Sequence, residues 1–121
     1  TFPDLVRQAT RQGSELLVIV SNDAWFGNTS APFLHAEIGR WRAIENRIPV
    51  VRSANTGISL ILDQYGRNLQ SLPFGKSGWL SAPVTQGNPQ TIFVRYGNWP
   101  ARLCVILALL LIGYSIIRRK K

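Results

Sequence analysis

Ser21-Asn22-Asp23-Ala24-Trp25-Phe26-Gly27, preceded by the apolar run Leu16-Leu17-Val18-Ile19-Val20, is the stretch that decides how this chain is read. Five consecutive aliphatics predict a short strand covered on both faces. The run stops at Ser-Asn-Asp, residues whose side chains hydrogen-bond their own backbone and shape a turn. Trp25 and Phe26 then stand before a glycine, and two rings that large must be either buried or turned toward a ligand. On composition alone, aromatics plugging the domain core are the ordinary reading.

Upstream of the strand, residues 3–12 predict a short helix closed by Gly13, with Leu5, Val6 and Ala9 as its apolar contribution. Thr1 and Asp4 resemble a capping pair, so the chain opens inside a structural element. It contains no methionine and reads as the C-terminal piece of a longer protein. Downstream, Ser30 as N-cap and Pro32 in the first turn predict a helix to about Arg47, ended by Pro49. Leu34, Ile38, Trp41, Ile44 and Ile48 fall on one face of it, which places Trp41 in the core. Residues 50–53 and 58–63 predict strands around the turn Asn55-Thr56-Gly57, and 69–72, 78–84 and 91–96 are weaker strand candidates. Helix, strand, helix and then several strands make an α/β fold.

The net charge of +8 invites a nucleic-acid partner, but its distribution argues against one. Arg102, Arg118, Arg119, Lys120 and Lys121 carry five of the 14 basic residues. The rest form no basic stripe, and no base-stacking motif accompanies them, so nucleic acid is not expected as a partner. The single Cys104 cannot form an internal disulfide and says nothing of redox compartment.

Residues 103–117 carry no charge and include Leu109-Leu110-Leu111. No polar face appears at helical spacing, which argues against a surface-lying helix. Taken alone they reach ~22 Å, short of a ~30 Å hydrocarbon core. Extended back to Trp99 the helix reaches ~28 Å, with Arg102 able to snorkel and Tyr96 and Trp99 suited to the interface. The predicted organisation is a soluble part over 1–95, a transmembrane helix over 96–117 and a basic tail over 118–121. Basic clusters favour the cytoplasmic side, so the tail is expected in the cytoplasm and residues 1–95 outside it.

The ordered set of motifs resembles the nitrilase, or carbon-nitrogen hydrolase, superfamily. Phe2-Pro3-Asp4, the strand, Asn22 through Gly27, His35, Arg42 through Arg52, Asn55 through Ser59 and Gly97-Asn98-Trp99-Pro100 carry the likeness. Arg42 through Ile58 is similar to the soluble amidases, while the Trp-Phe-Gly loop and the apolar tail select the membrane branch, the apolipoprotein N-acyltransferases. The resemblance implies the C-terminal part of a nitrilase-like α-β-β-α sandwich followed by one transmembrane helix. It also implies acyl transfer from a phospholipid donor, through a cysteine thioester, to the N-terminal diacylglyceryl-cysteine of an apolipoprotein acceptor. The setting it implies is the bacterial inner membrane, with membrane lipid as a partner and the soluble part periplasmic.

Enzymes of this kind use a cysteine, a glutamate and a lysine, and none of the three maps onto a residue here. The family's cysteine lies just before Phe2-Pro3, so the chain alone is expected to be inactive. Cys104 is refused as a substitute, since a thiolate in an apolar segment is disfavoured. Arg42 and Glu45 are spaced as a structural ion pair, and Lys76 as a solvated charge. His35 is the only histidine and has no ligand cluster around it, so neither a metal nor another cofactor is expected. Asn22, Asp23, Trp25, Phe26 and His35 remain as candidate substrate-binding residues, the loop serving as pocket wall. The competing readings are a membrane-tethered amidase or nitrilase cleaving a carbon–nitrogen bond, and a non-enzymatic tail-anchored domain.

Overall fold

The computed structural model of the chain describes residues 2–119, the side chains at 116, 117 and 119 excepted. The elements run α1 (Pro3–Arg11), β1 (Leu17–Asn22), a 3-10 turn (Ala24–Phe26), α2 (Ala31–Asn46), β2 (Val50–Asn55), β3 (Ser59–Leu62), β4 (Asn68–Leu72), α3 (Ile92–Tyr96) and α4 (Trp99–Arg119). One sheet has the strand order β1-β2-β3-β4. β1 and β2 are parallel, Ile19 lying beside Arg52, and α2 is the crossover between them. The other two pairings are antiparallel hairpins.

The core sits between α2 and one face of the sheet, where Ile19, Ala36, Ala43, Val50, Leu60 and Leu62 are buried together. The helix presents its small side there: a Cβ on Gly39 would stand 3.4 Å from the Ile19 side chain. Small residues let the helix axis approach the strands closely, and the aliphatics of the sheet fill the layer.

That packing inverts the face expected for α2. Leu34, Ile38, Trp41 and Ile44 point away from the sheet, and Trp41 is 57% exposed. Ala36, Gly39, Ala43 and Asn46 recur with the same period on the opposite side and are buried. Ile48 alone of the expected face is buried, beyond the helix end. A hydrophobicity pattern weights large side chains, whereas close approach to a sheet selects small ones.

β1 departs from expectation in a related way. Ile19 is buried, but Val18 and Val20 are exposed, so only one face of this edge strand is covered among the described residues. Two expected strands are absent: 78–84 has no regular structure, and 92–96 is the helix α3. Thr91 decides the latter, because its Oγ1 accepts a hydrogen bond from Val94 N (3.0 Å) and caps a helical turn. On α1, the N-cap position is Phe2, with Pro3 in the first turn and no side-chain cap bond. Thr1 of the expected capping pair lies outside the described residues.

The C-terminal helix begins at Trp99, not at 96, since Tyr96 closes α3 and Gly97 intervenes. Among the described residues no helix is long and apolar enough to cross a membrane. The described charge-free stretch of α4, 103–115, reaches only ~20 Å. The expected span ends on 116 and 117, whose side chains lie outside the description, as do Lys120 and Lys121 of the basic tail.

Candidate functional site

The Asn22–Gly27 loop leaves the carboxyl end of β1, and Asn55-Thr56-Gly57 leaves the carboxyl end of the adjacent parallel β2. In open α/β sheets the crevice at these ends is where ligands bind. Two neighbouring strands thus place both turns on one rim.

Asp23 holds the rim together. Its side chain is fully buried, with Arg52 Nη2 donating to Oδ2 (2.6 Å), Ser21 Oγ donating to Oδ1 (2.6 Å), and His35 Nδ1 within 3.0 Å of Oδ1. Burial alone would push this carboxyl up. The hydrogen bonds from Ser21, His35 and Arg52, with the arginine charge, outweigh it and hold Asp23 below the ordinary carboxylate range. Arg52 spends its Nε on the Ile58 carbonyl (3.1 Å), which anchors the far side of the Asn-Thr-Gly turn. Every group reaching the carboxylate comes from a different element, so one buried charge locks β1, α2 and β2.

The turn is built tightly around that carboxylate. A Cβ on Gly57 would fall 2.3 Å from Asp23 Oδ2 and 2.9 Å from the Ala54 Cβ, so only glycine fits. Thr56 stands at φ 58°, a left-handed conformation costly for a β-branched residue, about 1–3 kcal/mol. Its carbonyl accepts from Gly75 N (2.8 Å), which ties the Pro73–Lys76 loop to the same rim. Asn22 Oδ1 accepts from Ala24 N (3.2 Å) and from Asn55 Nδ2 (3.5 Å), linking the two turns across the strands.

Above this root the loop turns outward. Trp25 is 82% exposed at the tip, and Phe26, partly exposed, meets the His35 ring edge-on with centroids 6.1 Å apart. The expected wall residues therefore divide. Trp25, Phe26 and Asn22 face outward or lie at the rim, His35 is half-buried beneath Phe26, and Asp23 faces inward as their anchor. The sequence reading did not assign Arg52 a place in the site. A charge at the same strand parity as Val50, inside an apolar segment, was the signal that it needed a buried partner.

Other candidate groups lie elsewhere. Arg42 and Glu45 form the expected i,i+3 pair at 3.0 Å on α2, and burial pushes the Glu45 carboxyl up against the opposing pull of Arg42. Glu45 borders an open cavity of about 600 Å³ lined also by Arg47, Tyr65, Asn88 and Phe93, with no residue of the Trp25 loop. Size favours that cavity, but the strand carboxyl ends and the buried ion pair favour the loop, and these carry the chemistry-bearing geometry. Cys104 is exposed on α4 and lines neither the cavity nor the loop. Among the described residues no group of three or more His, Cys, Asp or Glu is placed to hold a metal.

The family model described as carbon-nitrogen hydrolase matches residues 1–91, which hold α1, α2 and the four strands. The chain belongs to the carbon-nitrogen hydrolase family. Within it, the chain is 41% identical over 118 residues to the apolipoprotein N-acyltransferase of Geobacter metallireducens, covering 98% of this chain and 23% of that protein. It is 42% identical over 120 residues to that of Shewanella oneidensis, covering 99% of this chain and 23% of that protein. The Bradyrhizobium diazoefficiens protein of the same name is 47% identical over 95 residues, 78% of this chain and 18% of its own length. The chain thus spans about a quarter of the length of these relatives. A C145A mutant of the Nesterenkonia AN1 amidase, from the nitrilase superfamily, superposes with a TM-score of 0.55 at 21% identity over 84% of this chain and 38% of its own. That likeness supports the nitrilase-like α/β fold.

Proposed function

We propose that this chain is part of an apolipoprotein N-acyltransferase and supplies the substrate-facing rim of its active site. The observation that carries the reading is the exposed Trp25 on a loop whose root is fixed by the buried Asp23–Arg52 pair. An exposed indole that costs an ion pair to hold in place suits an apolar ligand such as an acyl chain. The names of the relatives point to the same chemistry.

In this reading a cysteine thiolate outside positions 1–121 attacks the ester carbonyl of a phospholipid. The acyl group passes to sulfur and a lysophospholipid leaves. The α-amine of the diacylglyceryl-cysteine of an apolipoprotein then attacks the thioester, forming an amide and returning the thiol. The general base and the oxyanion-stabilising lysine also lie outside this chain. Trp25 and Phe26 hold acyl chain, Asn22 orders the rim, and Asp23 and His35 position the loop.

The bare outer face of β1, Val18 and Val20, suits a second sheet laid against it, as in a four-layer sandwich. In the same reading α4 enters the membrane together with residues 116 and 117, since its described residues alone are too short to cross, with residues 1–95 periplasmic and the basic tail cytoplasmic. All residues 101–112 are exposed, and a surface that is aliphatic but for a few residues such as Arg102, with no partner among the described residues, fits lipid.

The test uses the full-length protein in vesicles holding radiolabelled phosphatidylethanolamine and a diacylated lipopeptide. The expected result is label on a protein cysteine, then on the lipopeptide amine. Ammonia release from short amides with no acyl transfer would overturn the reading in favour of an amidase.

A further inference from the structure

Helix α4 leaves the domain with all its residues from 101 to 112 exposed, so its direction is set at the junction with α3. α3 has only five residues and is held at both ends. Val94 is buried, and Thr91 Oγ1 donates to the Glu45 carbonyl of α2 (2.5 Å), which seats the first turn. At the other end the last carbonyls of a helix have no partner within it. Gly97 N donates to Phe93 O (2.7 Å), and Arg7, coming from α1 across more than eighty residues of sequence, joins it there and reaches the next two carbonyls. Its Nε donates to Phe93 O (2.8 Å) and Val94 O (3.1 Å), and its Nη2 donates to Arg95 O (3.0 Å).

Three consecutive carbonyls converge on one guanidinium, a planar fork that an ammonium cannot reproduce. Its positive charge also suits the negative end of the helix. The next residue but one, Gly97, turns the chain into α4 with φ 64° and ψ −145°. A Cβ there would stand 3.2 Å from Arg7 Cζ, so the turn is packed directly on the guanidinium. Trp99 starts α4 two residues later. The clamp therefore joins α1 to the pivot of the C-terminal helix.

From this geometry we infer that Arg7 is a positioning residue that fixes the angle between the α/β layer and α4, and so the height of the Trp25 rim above the lipid surface. The inference about lipid rests on the acyltransferase reading; the clamp itself does not. α1 packs against both α2 and α3, so a shift of the pivot is felt by the layer that carries the site.

The experiment compares full-length wild type, Arg7→Ala and Arg7→Lys in lipid nanodiscs. Hydrogen exchange at residues 92–102 should rise about tenfold in Arg7→Ala, with β1–β3 amides unchanged. Cysteine acylation by phosphatidylethanolamine in the bilayer should fall about tenfold, whereas acylation by soluble p-nitrophenyl butyrate should stay within about twofold. Arg7→Lys should lie between, since it keeps the charge but not the fork. Unchanged junction exchange in Arg7→Ala, or an equal fall with both donors accompanied by lower melting temperature, would overturn the inference. If wild type is acylated by neither donor, the acyltransferase reading fails, and junction exchange alone decides whether Arg7 clamps the pivot.

Discussion

Asp23 and Trp25 are two residues apart and occupy opposite environments: the carboxylate is 0% exposed and the indole 82% exposed. The loop root is built like a protein interior, with every polar atom of the carboxylate partnered and a glycine excluded from growing a side chain beside it. The tip is built like a contact surface. Such a division lets a loop present an apolar group to a ligand without relying on that ligand for its shape, which is preorganisation at the level of seven residues. It also separates two kinds of residue that one sequence motif mixes: those that fix geometry and those that use it.

The largest effect should come from the root. Asp23→Ala leaves the Arg52 guanidinium buried without its counter-charge, and removal of one partner of such a pair costs about 3–5 kcal/mol. Chemical unfolding of the full-length variant should show a loss of that size. Arg52→Met added to Asp23→Ala should recover part of it, because an apolar pair is less costly than a lone buried charge. If Asp23→Ala unfolds like wild type, the root does not hold the loop and the contrast with the tip collapses.

A smaller effect of fixed sign should appear on acidification. Asp23 is held below its unfolded value, so its contribution is present above the ordinary aspartate range and disappears as pH falls through the folded value. Glu45 is pushed up, and its protonation relieves a burial cost, so it acts in the opposite direction at milder acidity. Melting temperature followed from neutral pH downward should therefore decline most steeply at the acid end. Asp23→Asn should flatten that end of the profile while leaving any Glu45 contribution in place.

How much of this was readable beforehand differs between elements for physical reasons. α1, β1, α2 and the β2–β3 hairpin follow from breakers and caps at Gly13, Pro32, Pro49 and Asn55-Thr56-Gly57, which act locally. The facing of α2 does not. Ala36, Gly39 and Ala43 carry as strong a period as Leu34, Ile38 and Trp41, and only the neighbouring strands choose between them. α3 was hidden because Thr-Ile-Phe-Val has strand propensity, whereas the Thr91 cap starts a helical turn that the burial of Val94 and the Arg7 clamp accompany. At the site, the loop was legible as an unusual run of residue types. The Asp23–Arg52 pair bridges 29 positions, and Thr56's left-handed backbone depends on the loop at Gly75, so both are properties of the fold.

The smallest effect on stability should come from the tip, and there the comparison is most informative. Trp25→Ala removes a ring that is mostly in water already, so its unfolding free energy should stay within about 0.5 kcal/mol of wild type. Trp41→Ala is the matched control, because Trp41 is also more than half exposed yet sits on α2, away from the strand carboxyl ends. It too should be mild, well below the ~3–5 kcal/mol of a buried aromatic truncation. The two variants should then separate on activity: acyl transfer per folded molecule in full-length protein should fall for Trp25→Ala and hold for Trp41→Ala. A Trp25→Ala protein that loses several kcal/mol while keeping its activity per folded molecule would make the indole a structural plug. A Trp41→Ala protein that loses several kcal/mol would show instead that the outer face of α2 is covered in the full-length protein, leaving the assignment of the tip to the activity measurement alone.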